Sequence, residues 1–133
     1  MGTENFELRN DLERSLSDAQ SGRIPVRVFL KELMNADLFV PSMSEVAADG
    51  DGFLPLVFHR ENDSFIAVFT EITRIGECGG PADYCLAMRG NKLFAWIGKE
   101  YGIVINPGYS VGMEIPAAGV KEIWRDFGAE SLS

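Results

Sequence analysis

Two uninterrupted apolar blocks, separated by a short polar segment, constrain the fold of this 133-residue chain most strongly. The blocks span residues 53–58 and 65–69, and the polar residues 60–64 between them predict the turn of a β-hairpin. Because each block is apolar at successive positions, we expect strands that are covered on both faces of a sheet, with helices on both sides of part of it. Pro55 cannot donate a ladder hydrogen bond, so we expect the first strand at a sheet edge or bulge.

The remaining elements follow from hydrophobic periodicity and from cap and turn residues. The pattern predicts helices over residues 6–21, 25–35, 91–101 and 116–127, further strands over 37–41, 84–88, 103–105 and 111–115, and loops over 42–52 and 76–81. We therefore expect one α/β (α+β) domain over residues 1–133, with a mixed sheet of about five to six strands, helices on its faces, two N-terminal helices and one C-terminal helix. Residues 128–133 are expected to form a frayed tail.

The charge balance argues against several partners. Twenty acidic residues against twelve basic ones give a net charge of −8 and a pI near 4.6. Affinity for nucleic acid comes from Lys and Arg that displace counterions, so we expect no nucleic-acid partner, and anionic lipid surfaces are repelled for the same reason. No apolar run is long enough to span a bilayer and no secretory signal is recognisable, so we expect no membrane association and a cytoplasmic location.

The chemistry-bearing residues match no complete catalytic or metal-binding motif. His59 is the one imidazole, and Cys78 and Cys85 have neither redox nor zinc-site spacing. The acidic run 49–52 lacks the later oxygen ligands of a calcium loop, and no phosphate-binding glycine motif occurs. We therefore expect no metal and no cofactor, and we expect a non-enzymatic protein.

The segment from Asn106 to Ser110 is the candidate binding site. Pro107 and Gly108 stand where a type II turn requires them, so their presence needs no functional explanation. The turn does not require the aromatic ring of Tyr109, nor asparagine rather than aspartate at position 106. We therefore predict a recognition surface formed by Asn106, Pro107, Gly108, Tyr109 and Ser110.

Five segments, in this order, carry a resemblance to a known family. They are Leu-Phe-Val-Pro at 38–41, Pro-Leu-Val-Phe at 55–58, Ala-Val-Phe-Thr at 67–70, Gly-Ile-Val-Ile-Asn-Pro-Gly at 102–108 and Met-Glu-Ile-Pro at 113–116. Together with the two preceding helices they resemble the N-terminal domain of the SseB, or enhanced serine sensitivity, proteins over nearly the whole chain. The resemblance implies a bacterial cytoplasmic α/β domain. It implies no particular reaction.

Three functional interpretations remain open from the sequence. The first is a non-enzymatic binding or regulatory domain that holds a protein partner near residues 106–110 and at a sheet edge, with a homodimer as one possibility. The second is a small acidic accessory protein, either a secretion chaperone or a toxin-neutralising partner, that presents a negative surface to a basic client. The third is an enzyme that uses His59, Cys78 or a pair of carboxylates.

Overall fold

Five helices and six strands lie in the described part of the computed structural model, which covers residues 7–42, 54–77, 84–97 and 100–128. The helices are α1 (Asp11–Gln20), α2 (Val26–Met34), α3 (Thr73–Glu77), α4 (Gly90–Ile97) and α5 (Ala117–Ile123), and a π-helical turn (Trp124–Gly128) continues α5. The strands are β1 (Asp37–Ser42), β2 (Val57–Arg60), β3 (Asp63–Val68), β4 (Tyr84–Arg89), β5 (Gly102–Ile105) and β6 (Met113–Ile115). The predicted α+β class is confirmed.

The strands form two sheets. A four-stranded sheet has the order β2-β3-β5-β6, in which β3 and β5 run parallel and the other pairs are antiparallel. An antiparallel pair, β1-β4, makes the second sheet. The β1-β4 pair is joined to the rest at two places: Phe39 and Phe69 exchange backbone hydrogen bonds of 3.0 and 2.8 Å, and Ser42 forms a bridge with Pro55, beside which the Leu56 N–H donates to the Pro41 carbonyl oxygen at 3.2 Å. The predicted edge position of β2 is confirmed, and β5 lies inside the sheet between β3 and β6.

The two faces of the four-stranded sheet differ in what covers them. On the first face, Ile66, Val68, Ile103 and Ile105 pack against the apolar stripes of α1, α2, α4 and α5 in the main core. On the second face, Ala67 belongs to a smaller cluster with Phe69 and with Ile75 of the short helix α3. Helices therefore contact both faces, as expected, but most of the helical layer lies on the first.

Several boundaries differ from the expectation: α1 begins at Asp11, β2 spans Val57–Arg60 where a strand over 53–58 was expected, and β6 begins at Met113. The hairpin turn is tighter than predicted, because Arg60 pairs with Asp63 and leaves two residues between the strands. Helix α4 begins at Gly90, one residue before the predicted start, and ends at Ile97, before the predicted end at residue 101. Gly90 packs against α2 so closely that a Cβ atom there would lie 1.9 Å from the carbonyl oxygen of Leu33.

Some expectations fall on residues that the structure does not describe. These are most of the predicted loop over 42–52, including the acidic run 49–52, residues 78–81 of the loop over 76–81, and residues 129–133 of the predicted tail. Among the described residues, no helix combines the length and the hydropathy needed to cross a bilayer.

Candidate binding site

The turn after β5 has the predicted type II geometry. Gly108 adopts a φ of 89°, and the Tyr109 N–H donates to the carbonyl oxygen of Asn106 at 3.1 Å. A positive φ at the third position of a type II turn is what glycine accepts without strain, and proline sets the second position. The geometry of the turn therefore explains Pro107 and Gly108 without any binding role.

Asn106 lies inside the protein, not on its surface. Its residue is 1% exposed and its φ is 53°, in the left-handed region that asparagine tolerates better than most residues. Its Nδ2 donates to the Thr70 hydroxyl at 2.9 Å and to the Val111 carbonyl at 3.0 Å, while its Oδ1 accepts from the Thr70 N–H at 3.1 Å. Two donated bonds need an amide, which explains why asparagine and not aspartate occupies this position.

Asn106 belongs to a buried polar cluster that we call the Glu13 cluster, made of Glu13, Thr70, Arg74 and Asn106. Arg74 donates to both carboxylate oxygens of Glu13, through Nη2 at 2.8 Å and through Nε at 3.0 Å. The Thr70 hydroxyl donates to the same carboxylate at 2.6 Å. The ion pair is bidentate and nearly dry, with side-chain exposures of 0% for Glu13 and 3% for Arg74. The bidentate geometry and the additional hydrogen bond from Thr70 offset the free-energy cost of removing the two charges from water.

The electrostatics of the cluster keep Glu13 ionised. Burial by itself raises the pKa of this carboxyl, but hydrogen bonds from Arg74, from Thr70 and from the Arg9 backbone outweigh it, so the pKa lies below its ordinary value. The Arg9 N–H donates at 2.9 Å to Glu13 Oε1. Glu13 lies on the buried face of α1, beside Leu12 and Leu16.

Tyr109 ties the turn to this cluster. Its hydroxyl donates to the Arg74 carbonyl oxygen at 2.7 Å, and the Arg74 guanidinium lies 5.4 Å from the centroid of its ring. The ring is half-buried and packs with the smaller apolar cluster on the second sheet face. Of the five residues predicted for recognition, Asn106 and Tyr109 thus direct their side chains into the fold, and Pro107, Gly108 and Ser110 form the outer surface of the turn.

A cleft opens beside the turn on the second face of the four-stranded sheet. Its volume is about 320 Å³, and its lining comprises Phe58, His59, Phe65, Val104, Pro107, Gly108 and Glu114. Strand register explains the floor, because Phe58 pairs with Phe65 and Val104 pairs with Glu114, and directly opposed residues share a face. The turn forms one wall of this cleft.

Phe58 is the most exposed aromatic side chain of the cleft, with 44% of its surface accessible, whereas Phe65 beside it is 7% exposed. Gly102 explains why Phe65 is buried. A Cβ atom at residue 102 would lie 2.8 Å from the Phe65 ring, so only glycine lets the ring pack directly against the backbone of β5. The exposure of Phe58 was not predictable from the sequence, because an uninterrupted apolar block indicates a strand that is covered on both faces.

The other chemistry-bearing residues do not converge on a reactive centre within the described residues. His59 is exposed, and its Nδ1 lies 2.9 Å from the hydroxyl of Ser64, its direct partner across the hairpin. Cys85 is half-buried, and burial raises the pKa of its thiol, which disfavours the reactive thiolate. Cys78 lies outside the described residues. No group of three or more potential metal ligands occurs in the described part of the chain.

Comparison with known proteins gives one match. The family model of the SseB protein N-terminal domain matches residues 12–122, which is most of the chain. No curated protein and no solved structure matches. The matched segment contains α1, the four-stranded sheet, the Glu13 cluster and the 106–110 turn, so the features described above lie within the family's own domain. The chain belongs to the family of SseB N-terminal domains.

Proposed function

We propose that this domain is a non-enzymatic protein-binding module that holds a partner in the cleft between the second sheet face and the 106–110 turn. The observation that carries the proposal is the exposed ring of Phe58 next to the buried ring of Phe65, in a concave site of about 320 Å³. Aromatic anchors in such sites contribute disproportionately to binding energy in protein interfaces.

The rim of the cleft supports the proposal because it is rigid. Pro107 and Gly108 lie in a hydrogen-bonded turn, and the neighbouring Asn106 and Tyr109 are fixed by the Glu13 cluster. A wall that is already ordered costs little conformational entropy on binding. Ser110 is held as well, because Gln20 at the end of α1 donates to its carbonyl oxygen at 3.0 Å.

Charge indicates the chemistry of the partner. Glu114 is exposed at one side of the cleft, and the whole chain carries a net charge of −8. An interface is favoured when potentials on the two sides are opposite. The partner segment expected here presents an apolar side chain to Phe58 and a lysine or arginine to Glu114.

The surroundings of His59 and Cys85 support a non-enzymatic role. The His59 ring is paired with a serine hydroxyl at an exposed hairpin, and the described structure gives it no carboxylate hydrogen bond that would orient it as a catalytic base. The raised pKa of Cys85 works against a nucleophilic role.

The test is a comparison of matched variants in partner capture from the host lysate at moderate salt. Phe58→Ser and Glu114→Gln are expected to lose the partner, while Val28→Ser, which changes an equally exposed apolar residue on α2, is expected to retain it. Circular dichroism and thermal unfolding confirm that each variant is folded. Capture that survives both cleft substitutions contradicts the proposed site, and a partner lost in Val28→Ser as well shows non-specific apolar binding.

A second candidate function, the acidic accessory protein, is favoured by a different surface. A cleft of about 450 Å³ at α1, α2 and β1 has Asp11, Glu32 and Asp37 in its lining, and Asp37 lies 3.8 Å from the guanidinium of Arg89. A basic client bound there would be released by salt, because exposed charges are screened. Replacement of Asp11 and Asp37 by asparagine distinguishes the two candidates, since it leaves the Phe58 cleft intact.

A further inference from the structure

The outer edge of β4 lies away from the cleft and is left unpaired by the strands of the described residues. Strand β4 pairs with β1 on one side, and within the described residues no strand pairs with its other side. The strand is six residues long with the sequence Tyr-Cys-Leu-Ala-Met-Arg, so Arg89 at its end is its one charged residue. Natural edge strands are usually protected by internal charges, prolines or bulges, and β4 has no charge or proline before Arg89.

The hydrogen-bond pattern shows which backbone groups face outward. The Gly90 N–H donates to the Ala36 carbonyl oxygen at 2.9 Å, and the β1-β4 register pairs Leu38 with Met88. Because bonded pairs alternate along an antiparallel ladder, residues 84, 86 and 88 direct their N–H and C=O groups toward β1. The backbone groups of Cys85 and Ala87 therefore face away from β1, and no described hydrogen bond engages them.

We propose that two copies of this chain associate through β4, with the strands antiparallel about a twofold axis at Leu86. This joins the two β1-β4 pairs into one four-stranded sheet, and it relieves the marginal stability of a two-stranded sheet. Cys85 of each copy then exchanges two backbone hydrogen bonds with Ala87 of the other, which uses the outward-facing N–H and C=O groups of both residues.

Side-chain chemistry supports this register. A twofold axis perpendicular to the sheet keeps each face on its own side, so Leu86 lies opposite Leu86 of the second copy and Tyr84 lies opposite its Met88. Tyr84 is 43% exposed in the single chain, and Leu86 and Met88 are half-buried, so each gains apolar cover. Aromatic–sulfur contacts of this kind are favourable. A register centred one residue later would instead place the charged Arg89 against the half-buried Cys85.

The strength of the association follows from its size. Two short paired strands bury less surface than the roughly 1,200 Å² typical of stable complexes, so we expect a dimer that forms with rising concentration and not a permanent one. A second copy of the chain presents the same unpaired edge, and the side chains of the two β4 strands are complementary in the antiparallel register described above. A second copy is thus the occupant that the edge fits.

Sedimentation velocity from about 10 to about 500 µM tests the association. The wild-type chain is expected to shift from monomer toward dimer over this range. Ala87→Pro removes an outward N–H without affecting the β1 ladder, and Ala87→Lys adds a charge at an exposed edge position, so both are expected to weaken association at least about tenfold. Ala118→Lys, at an exposed position on α5, is the matched control and is expected to behave as wild type. A wild-type monomer at every concentration, or an Ala87→Lys chain that dimerises normally, overturns the proposal.

Oxidative cross-linking tests the register in a background where Cys78 and Cys85 are replaced by alanine. Leu86→Cys is expected to form an intermolecular disulfide, because its Cα atom lies about 4.5 Å from its symmetry mate in a non-hydrogen-bonded pair. Ala87→Cys is expected to remain reduced. Cross-linking of residue 87 in place of residue 86 overturns the proposed axis, and cross-linking of neither overturns the strand pairing.

Discussion

Thr70 and the side chain of Asn106 are joined by hydrogen bonds in both directions: the Thr70 N–H donates to Asn106 Oδ1 at 3.1 Å, and Asn106 Nδ2 donates to Thr70 Oγ1 at 2.9 Å. The same amide also donates to the Val111 carbonyl oxygen. One side chain thereby connects the residues after β3 with both ends of the segment between β5 and β6. The shape of the cleft wall depends on this amide.

Asn106→Asp is expected to lower the free energy of unfolding by about 3 kcal/mol, because aspartate loses both donated bonds and adds a negative charge beside the Glu13 cluster. Urea unfolding monitored by circular dichroism measures the change. Asn106→Gly is the control, since it accommodates the φ of 53° and loses the same bonds without adding charge. An aspartate variant as stable as the wild type contradicts the assigned donor role.

Glu13→Gln is expected to cost about 3 kcal/mol of unfolding free energy, because it leaves the buried guanidinium of Arg74 without its counter-charge. Arg74→Met should cost a similar amount for the reciprocal reason. The double variant is expected to lose less than the sum of the two by at least about 1 kcal/mol, since neither charge then remains unpaired. Additive losses in the unfolding measurements would show that the two side chains do not interact energetically.

Stability is expected to fall in acid through Glu13. The pKa of this carboxyl is lowered in the folded state from an ordinary value of 4.5. A group whose folded pKa is depressed contributes stability above its unfolded pKa, and that contribution is lost as the pH falls through the folded pKa. The midpoint of thermal unfolding should therefore drop below about pH 4.5 more steeply in the wild type than in Glu13→Gln. Parallel profiles for the two chains would assign the acid sensitivity to other carboxyls, such as Glu71, whose pKa is also lowered, chiefly by its hydrogen bond with Thr73.

Tyr109→Phe is expected to lower the free energy of unfolding by about 1 kcal/mol, because it removes the hydrogen bond to the Arg74 carbonyl oxygen and keeps the ring. Tyr109→Ala should cost about 3 kcal/mol, since the ring packing is lost as well. Partner capture by Tyr109→Phe should equal that of the wild type. A folded Tyr109→Phe chain that no longer binds would place the hydroxyl in the recognition surface and not in the support of the turn.

Gly102→Ala is expected to disturb the cleft from below. The added Cβ atom would lie 2.4 Å from the Ile115 carbonyl oxygen and 2.8 Å from the Phe65 ring, so β6 or the ring must move. We expect a loss of about 2 kcal/mol in unfolding free energy together with weaker partner capture. Unchanged capture in a folded Gly102→Ala chain would show that the position of Phe65 does not matter for binding.

The sequence predicted those elements whose conformation depends on the residues of the element itself. The type II turn at Pro107 and Gly108 was predictable because proline and glycine restrict their own dihedral angles. The interior position of β5 was predictable because every residue of Ile103–Val104–Ile105 is apolar and β-branched. These predictions needed no knowledge of what the residues contact.

The Glu13 cluster was not predictable by the same means. Glu13 lies between polar neighbours on α1, and its burial depends on Thr70 and Arg74, which are 57 and 61 positions away. One sequence signal was available: Glu13 stands three residues before Leu16, on the flank of the apolar stripe. Asn106 gave no such signal, because its need to donate twice arises from where Thr70 and Val111 meet in the folded chain.

The meeting of α1, the Thr70–Arg74 segment and the 106–110 turn in one polar cluster has a consequence for how the chain acquires its structure. Contacts between residues this far apart close large loops, and they form only after most of the chain has been ordered. The cleft wall should therefore be among the last parts of the domain to take shape, and a fragment without α1 should not build it. We expect the first helix to be needed for a surface that lies more than ninety residues later in the sequence.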